Sequence, residues 1–402
     1  MQFPGLFRRV GMLLWAGIAW SATAFAGTTP PIGHVFLIVL ENKDYAATFG
    51  ASSPAPYLAY TLTRQGVLLT QYYGTGHYSL DNYLAMLSGQ AASPETRDDC
   101  ERFADFVMTG TTPDGQAIGH GCVYPATVMT LADQLDAVHK SWRGYMEDMG
   151  NDPAREPATC AHPAVGAADP TQSAEPPSAS VPHGDQYAVR HNPFVYFHSI
   201  IDSPRCATNV VNLARLRKDL AAVRTTPNFA FISPNLCNDG HDAPCKDGAP
   251  GGLESADAFL RTWVPRIMAS PAYRRDGLII VTFDEGDAEL HPIPGGGTFA
   301  HYRGEKCCNQ QPGPNIGTFP QTERDGDWTT LFDDFGGDRI GAVLLSPALK
   351  RGVTASTPFN HYSLLKTLED LFATGEHLGY AAQPGLLGFF DAGSDVAIHR
   401  AH

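Results

Sequence analysis

The sequence predicts an α/β protein with a mostly parallel central sheet and helices on both of its faces. Five short apolar runs rich in β-branched residues are typical of strands buried on both sides. Helical patterns alternate with these runs, which favours parallel strands joined by helical crossovers. The runs are HVFLIVL (34–40), VLLTQYY (67–73), NFAFIS (228–233), LIIVTF (278–283) and GAVLLS (341–346).

Six segments show helical periodicity, and three polar regions interrupt the alternation. Pro265 falls inside the fifth segment, where a proline kinks or ends a helix. We interpret residues 90–122, 151–186 and 286–338 as surface insertions because they are polar or rich in loop-forming residues. A single domain over 27–402 with elaborated loops is therefore expected. The helical segments lie around 55–65, 80–88, 127–138, 210–223, 254–269 and 361–373.

Residues 1–26 have the pattern of a secretory signal peptide. Arg8 and Arg9 form a basic start, and the apolar stretch GMLLWAGIAW that follows is too short for a comfortable membrane span. Ala24-Phe25-Ala26 then supplies an A-x-A cleavage site. We expect an exported protein, periplasmic or secreted. Stable membrane insertion is not expected, because no later segment approaches ~20 continuous apolar residues.

The chain has eight cysteines, and export makes disulfides the expected state of these residues. No CxxC motif occurs, which argues against a zinc site. Cys307 and Cys308 are adjacent and either bond to each other or to partners elsewhere. By proximity we expect the pairs Cys100 with Cys122, Cys160 with Cys206, and Cys237 with Cys245.

The charge balance is acidic, with 28 Lys and Arg against 42 Asp and Glu and a net charge of −14. A general nucleic-acid binder needs a basic face, so nucleic acid is not an expected partner. A small anionic substrate stays compatible with this charge, because a local metal ion or helix terminus outweighs net charge at short range.

Polar side chains suited to catalysis follow each of the five apolar runs. In open α/β sheets, ligands bind beyond the carboxyl ends of the strands. Single turn residues after a strand mean little, but five such endings favour a functional site at one edge. The residues are Glu41 and Asn42; His77, Ser79 and Asn82; Asn238, Asp239, His241 and Asp242; Asp284 and Glu285; and, farther beyond the last run, His361.

Glu41, Asn42, Asp284 and Glu285 offer only oxygen ligands, which hard divalent cations prefer. Two acidic pairs brought together at strand ends would repel each other without a cation. The sequence therefore predicts a divalent metal site, with Mg, Mn, Ca or Fe all compatible. His241 and Asp242 would add a ligand or bind substrate oxygens.

Ser79 lies in HYSLDNY (77–83), just before a helical pattern, and two roles are open to it. As an N-cap it would stabilise the helix by roughly 1 kcal/mol. As a nucleophile it would meet an anion at the positive helix end, its hydroxyl activated by a metal. Asn82, one turn on, would face the same anion. His361 or His77 would bind the anion or protonate the leaving group.

Other nucleotide and hydrolase motifs are missing from the sequence. It contains no GxxxxGK[ST], which argues against a P-loop enzyme. It contains no GxSxG, so the triad of an α/β-hydrolase fits badly.

Six separated blocks resemble the bacterial phosphoesterase family, which includes secreted acid phosphatases and phospholipases C. HVFLIVLENKDYAATFG is similar to the family's opening, and GHYSLDNYLAMLSG to its H-x-S-x-x-N-Y-L-x-x-x-S-G segment. YAVRHNPFVYF, PNFAFISPNLCNDGHD, LIIVTFDEGD and FNHYSLLKTLEDLF follow in family order, so the blocks span most of 34–373. The resemblance implies an alkaline-phosphatase-like fold. Asp81 stands where the family often has proline.

The resemblance also implies roles for individual residues. The metal would lie on Glu41, Asn42, Asp284 and Glu285. Ser79 would accept the phosphoryl group, with His241 and His361 as further catalytic residues. The substrate would contact His77, Asn82, Asp242 and, from the RHNPF segment, His191 and Asn192.

The expected activity is that of an exported, metal-dependent acid phosphatase acting on phosphomonoesters through a phosphoserine. Its substrate would be a small phosphoester or a phospholipid headgroup such as a phosphoinositide. Two alternatives stay open: a phosphodiesterase of phospholipase C type, and a non-catalytic exported protein that binds a metal or an anion.

Overall fold

The computed structural model of the protein describes residues 1–2 and 30–399. Apart from Met1 and Gln2, the expected signal peptide (1–26) lies outside the described residues, and export stays a prediction. Within 30–399, no helix combines the length and the apolar character needed to cross a membrane.

The described residues form sixteen strands that belong to four sheets. In chain order the strands are β1 (His34–Leu40), β2 (Val67–Leu69), β3 (Tyr72–Tyr73), β4 (Val107–Thr111), β5 (Ala117–His120), β6 (Trp142–Met146), β7 (Val210–Asn212), β8 (Phe229–Ser233), β9 (Gly277–Phe283), β10 (Glu289–Pro292), β11 (Thr298–Tyr302), β12 (Gln321–Asp325), β13 (Trp328–Phe332), β14 (Ala342–Leu345), β15 (Val353–Ala355) and β16 (Phe359–Asn360).

The central sheet has eight strands in the order β15-β2-β14-β9-β1-β8-β6-β7. β1 pairs in parallel with both β8 and β9, and β6 pairs in parallel with β7 and β8. Only β14 runs antiparallel to its neighbours β2 and β9. The predicted mostly parallel α/β sheet is therefore confirmed. Every residue of β1, β8, β9 and β14 is buried. Since alternate side chains point to opposite faces, both faces of the sheet's centre are covered.

Ten α-helices accompany these strands in the described part of the chain, and α2 directly continues a π-helix over Tyr57–Leu62. α8 runs on past Pro265, so this proline does not end the helix. The helices are α1 (Tyr45–Phe49), α2 (Thr63–Gln65), α3 (Ser79–Ser88), α4 (Leu131–Ala137), α5 (His198–Ile201), α6 (Arg205–Asn209), α7 (Leu216–Asp219), α8 (Gly252–Ala269), α9 (Pro271–Asp276) and α10 (His361–Phe372).

The helix expected over 210–223 was wrong in its first part. Val210–Asn212 is strand β7 at the edge of the central sheet, and α7 begins only at Leu216. The two apolar valines that open this segment pair with β6, so tertiary pairing decides between strand and helix for this short run.

The strand that leads to His361 also differs from the expectation. β14 is antiparallel to β9, so its carboxyl end lies at the edge opposite to that of β1 and β9. The chain returns along β15, which is parallel to β2, and then along β16. α10 begins directly after β16, and this return brings His361 back to the edge where β1 and β9 end.

The insertion 286–338 was expected to be a loop but contains a second sheet. Its strands lie in the order β10-β11-β13-β12. The rings of Tyr302 and Phe332 stack at 5.1 Å between centroids, and the Tyr302 ring lies 4.1 Å from the ring of His77. The insertion is thereby packed against one of the predicted site residues.

The three disulfide pairs expected from proximity are confirmed, and the remaining two cysteines bond to each other. Cys307–Cys308 is thus a bridge between neighbours in the sequence. The other bridges are Cys100–Cys122, Cys160–Cys206 and Cys237–Cys245.

Replacing Leu37 by alanine is expected to lower the free energy of unfolding by about 2–5 kcal/mol, because it opens a cavity in the sheet's centre. Leu37 is fully buried in β1 and pairs in register with Phe231 and Ile280. Urea denaturation measures the change. Val107→Ala, at a half-exposed position in β4, is the control and should change stability by less than about 0.5 kcal/mol. Equal effects would contradict the prediction.

Candidate active site

Three buried carboxylates meet at the carboxyl ends of β1, β8 and β9. Glu41 and Asp284 directly follow their strands, and Asp239 lies in the loop after β8. The Glu41 N–H donates to the Asp239 carbonyl, and the Asp284 N–H donates to the Leu40 carbonyl, both at 2.9 Å. The side chains of all three acids are buried. The parallel pairing of these strands is what brings acids from distant parts of the chain together.

Ser79 is the first residue of α3 and points its hydroxyl at this group. Its Oγ donates to Glu41 Oε2 at 2.8 Å. Tyr78 occupies the N-cap position with φ 109° and ψ 141°, a conformation that residues other than glycine rarely adopt. Ser79 therefore does not cap the helix, and the capping role expected from sequence is not observed. Leu80 N–H donates instead to Asp99 Oδ1 at 3.0 Å.

Burial gives the three carboxylates unusual proton affinities. Desolvation is the largest cause, and it raises the pKa of Glu41 and of Asp239 well above the ordinary values. The charge of Asp284 raises the pKa of Glu41 further. The pKa of Asp284 is itself raised by burial. Three acids so close together and out of water repel one another unless protons or a cation lie between them.

His191 borders the same group and offers neutral nitrogen atoms. Its Nε2 lies 3.4 Å from Glu41 Oε2, and its Nδ1 lies 3.2 Å from Asp239 Oδ2. Burial lowers the pKa of His191 well below its usual value, and the charges of Arg190 and His241 act in the same direction. A neutral imidazole has a lone pair with which it can ligate a metal ion.

Several buried polar atoms here have no hydrogen-bond partner among the described residues: Asn42 Oδ1, Asp239 Oδ2, Asp284 Oδ2 and both ring nitrogens of His191. Potential ligand atoms of Glu41, His191 and Asp239 lie within 4.8 Å of one another. Carboxylate oxygens, amide oxygens and imidazole nitrogens are all ligands that divalent cations bind in proteins. The residues present therefore fit a divalent cation.

Glu285, the fourth predicted metal ligand, is directed toward the loop before α3. Its carboxylate accepts from His77 Nδ1 at 2.7 Å, from the Tyr78 N–H, and from Asn42 Nδ2 at 2.9 Å. His77 Nε2 also lies 3.2 Å from Asp338 Oδ2. Although burial opposes it, contact with the two carboxylates raises the pKa of His77 above its usual value. His77 thus lies between two carboxylates, those of Glu285 and Asp338.

The side chain of Asn82 stabilises the loop that leads to Ser79. Its Oδ1 accepts from the Thr75 N–H at 2.8 Å and from the Gly76 N–H at 3.1 Å, and its Nδ2 donates to the carbonyls of Gly76 and Tyr78. The side chain is fully buried. Both ends of the amide are therefore engaged by the protein, whereas the sequence predicted a contact with substrate.

His361 lies behind Asp284, and both of its ring nitrogens are engaged. Nε2 donates to the Asp284 carbonyl at 2.5 Å, and the Tyr72 hydroxyl donates to Nδ1 at 2.9 Å. Burial lowers the pKa of His361 to about 4. The adjacent Asn360 caps α10 by accepting from the Ser363 N–H. In this arrangement His361 orients the chain at Asp284.

His241 and Asp242 lie at the mouth of the site, and Asn192 faces the interior. His241 Nδ1 pairs with Asp242 Oδ1 at 2.8 Å, and 38% of the His241 side chain is exposed. Its ring centroid lies 6.4 Å from that of His191. Asn192 is fully buried and donates to the Tyr187 hydroxyl at 2.9 Å. Of these three residues, His241 and Asp242 can meet a ligand that enters from solvent.

Asp81, the residue that departs from the family pattern, is buried next to the loop before α3. Neither of its carboxylate oxygens has a hydrogen-bond partner in the described structure. Burial raises its pKa well above the usual range, and the charge of Glu285 adds to the effect. The structure gives no physical reason for an aspartate at this position.

Two residues of the site were not assigned from sequence, Asp239 and Tyr83. Asp239 was noticed after the strand, but nothing in NDGHD says which of its acids turns inward. The Tyr83 hydroxyl donates to Glu41 Oε1. Spacing offered one signal for it, since Tyr83 lies four residues after Ser79 and so on the same helix face.

The profile of the family described as the Phosphoesterase family matches residues 53–374. The chain belongs to the phosphoesterase family. The resemblance seen in the sequence is thereby confirmed. The match includes Ser79, Asp284 and His361 and ends two residues beyond the last residue of α10.

Two kinds of relative are similar to this chain. A phosphate-repressible acid phosphatase of Penicillium chrysogenum is 26% identical over 60% of this chain and 48% of its own length. A phosphatidylinositol-3-phosphatase of Mycobacterium tuberculosis is 25% identical over 68% of this chain and 70% of its own. This chain thus spans about half the length of the fungal acid phosphatases it matches.

Among solved structures, murine ectonucleotide pyrophosphatase / phosphodiesterase 5 aligns with a TM-score of 0.46 and 12% identity, over 88% of this chain and 100% of that chain. A protein in the alkaline phosphatase superfamily from Vibrio parahaemolyticus aligns with a TM-score of 0.43 and 11% identity, over 86% and 68%. At these values neither alignment bears on the activity.

Asn82→Ala is expected to lower the free energy of unfolding by about 2–4 kcal/mol, because it leaves buried backbone donors of the Thr75–Gly76 turn without an acceptor. Chemical denaturation measures the loss. Asn209→Ala is the control, since its Oδ1 accepts only from the neighbouring Thr208 hydroxyl. A change below about 0.5 kcal/mol for Asn82→Ala would show that the amide does not brace the loop.

His361 should make the metal-free protein less stable in acid. Its pKa is about 4 in the fold against about 6.5 in an unfolded chain. As pH falls from 6.5 to 4, the imidazole of residue 361 binds a proton in the unfolded state but not in the native state. Stability is therefore lost across this window, by up to about 3 kcal/mol.

His361→Gln keeps an amide donor for the Asp284 carbonyl but cannot titrate. The difference in unfolding free energy between the native protein and this variant should shrink or reverse as pH falls from 6.5 to 4. Urea denaturation at closely spaced pH values, with a chelator present, measures it. A difference that does not change with pH would rule out a buried neutral His361.

Proposed function

We propose that the chain is an exported, metal-dependent phosphomonoesterase in which Ser79 carries the phosphoryl group during turnover. The observation that carries this proposal is the hydrogen bond from Ser79 Oγ to Glu41 at the start of α3. The hydroxyl faces buried acids and a neutral histidine, and membership of the phosphoesterase family fits this chemistry.

The proposed cation would be held by the donor atoms that face this group, and it would supply positive charge that activates the hydroxyl and offsets phosphoryl charge. Glu41, Asn42 and Asp284 come from the set predicted by sequence. His191 and Asp239 extend the set in the structure. Glu285 contributes by holding Asn42 and the backbone of Tyr78 in place.

In the proposed reaction, Ser79 Oγ bonds to phosphorus while its proton leaves toward Glu41, and the bond from phosphorus to the alcohol oxygen breaks. His241 at the mouth gives a proton to that departing oxygen. A water molecule then loses a proton to His241 and attacks the phosphoserine. The bond from phosphorus to Ser79 Oγ breaks, inorganic phosphate leaves, and Ser79 recovers its proton.

The proposed substrate is a small phosphomonoester, with the phosphorylated headgroup of a phosphoinositide among the candidates. The relatives named as acid phosphatases and as a phosphatidylinositol-3-phosphatase support this choice. His241 and Asp242 at the rim would meet the part of the substrate that extends toward solvent. Residues 1–26 would direct export, and their cleavage would leave Gly27 as the new N-terminus.

The test is a panel of phosphomonoesters and phosphodiesters, offered to the purified protein with Mg²⁺, Mn²⁺, Ca²⁺ or Fe²⁺ added one at a time. We expect turnover of monoesters that chelation abolishes and one of these cations restores. Ser79→Ala should lower kcat/KM by about 10³-fold or more, because the nucleophile is removed. Mass spectrometry of acid-quenched enzyme should find phosphate on Ser79.

Ser88→Ala is the matched control, because Ser88 is a buried serine of the same helix whose hydroxyl donates to the Leu84 carbonyl and accepts from the Gln90 N–H. It should keep most of the native activity. Full activity in Ser79→Ala would disprove the serine mechanism. A clear preference for a diester such as phosphatidylcholine would replace phosphomonoesterase by phospholipase C-type activity. Cation binding without turnover of any ester would indicate a non-catalytic protein that binds a metal ion.

A further inference from the structure

The carboxylate of Glu41 is shared between two hydroxyl groups of helix α3. Ser79 Oγ donates to Oε2 at 2.8 Å, and the Tyr83 hydroxyl donates to Oε1. Each oxygen of the carboxylate thus has its own donor. A carboxylate held at both oxygens cannot rotate about its last bond without breaking a hydrogen bond, so Tyr83 limits which oxygen faces the serine.

The Tyr83 ring is itself fixed by its surroundings. It is fully buried and stacks on the ring of His191, with 5.3 Å between centroids and 8° between planes. On another side it packs against Phe231 of strand β8 at 5.8 Å. Tyr83 lies four residues after Ser79, so α3 presents both hydroxyls on one face. Helix, strand and ring packing together define where the phenol oxygen lies.

We propose that Tyr83 is a positioning residue of the active site, which orients Glu41 toward Ser79 through its hydroxyl and orients His191 through its ring. This inference rests on the proposed role of Ser79 as nucleophile. Two separate parts of the site, the acid that receives the serine proton and the imidazole beside Asp239, are then aligned by one side chain that does not touch the substrate.

Tyr83→Phe removes the hydroxyl and keeps the ring. We expect kcat to fall about 10- to 100-fold, because small displacements of a reacting group cost this much. KM should stay within about threefold, since no contact with substrate is lost. In a single turnover, the rate of phosphate transfer to Ser79 should fall by the same factor as kcat.

The matched control is Tyr145→Phe. Tyr145 lies in strand β6 and is also buried. Its hydroxyl donates to a carboxylate oxygen, Asp219 Oδ2, at 2.9 Å. This variant loses the same kind of hydrogen bond away from Glu41. Its thermal unfolding temperature should fall about as much as that of Tyr83→Phe, while its kcat stays within about twofold of the native value.

A second variant distinguishes loss of the hydrogen bond from loss of the folded state. Genetically encoded 4-fluorophenylalanine at position 83 fills nearly the volume of tyrosine and has no donor. It should show the same loss of kcat as Tyr83→Phe with an unfolding temperature nearer to the native one. Native kcat in either folded variant would overturn the inference.

The ring is tested by Tyr83→Leu, with Mn²⁺ binding followed by electron paramagnetic resonance. Loss of the stacking partner of His191 should weaken Mn²⁺ binding about tenfold or more, whereas Tyr83→Phe should bind it within about threefold of the native protein. Equal Mn²⁺ affinity in both variants would overturn the role of the ring. If the native protein turned over no phosphoester, the proposed function itself would fail, and Mn²⁺ affinity would still test the ring.

Discussion

Repulsion among Glu41, Asp239 and Asp284 is the constraint on which the site depends. All three lie at the ends of strands that pair in parallel, and all three are buried. The backbone hydrogen bonds that join these strand ends hold the acids near one another whatever their charge. Protons or a cation must therefore compensate the charges of these acids.

The surroundings of this acidic group are arranged to keep its geometry fixed. Asn82 ties the loop before α3 to its own helix, and Glu285 accepts from His77 Nδ1 and the Tyr78 N–H of that loop. Tyr302 of the inserted sheet packs on His77 from outside. The strained backbone of Tyr78 persists because these contacts surround it. Polar contacts in the loop and packing against the inserted sheet thus hold the backbone next to Ser79 in place.

Much of this arrangement was readable in the sequence because parallel strands impose it. Continuous apolar runs gave β1, β8 and β9, and the acids after β1 and β9 had to meet. The direction of β14 was not readable, because strand periodicity carries no information about polarity. The sheet in 286–338 was missed because its strands are short and largely exposed. The inward turn of Asp239, and the engagement of Asn82 and His361 by the protein itself, depend on contacts between segments that no local pattern encodes.

The pairing of β1 with β9 determines when the site is assembled during folding. Asn42 and Asp284, joined by a hydrogen bond, are 242 residues apart in the sequence. Contacts over such a separation form late, because the entropy lost on closing a long loop is offset only when the contacts of the sheet form. A growing chain that has not reached β9 contains Ser79 and Glu41 but not the acid that completes their surroundings. Folding of the central sheet and assembly of the site are therefore a single event. In a partly folded chain, Ser79 is present but the acids around it are not yet in place.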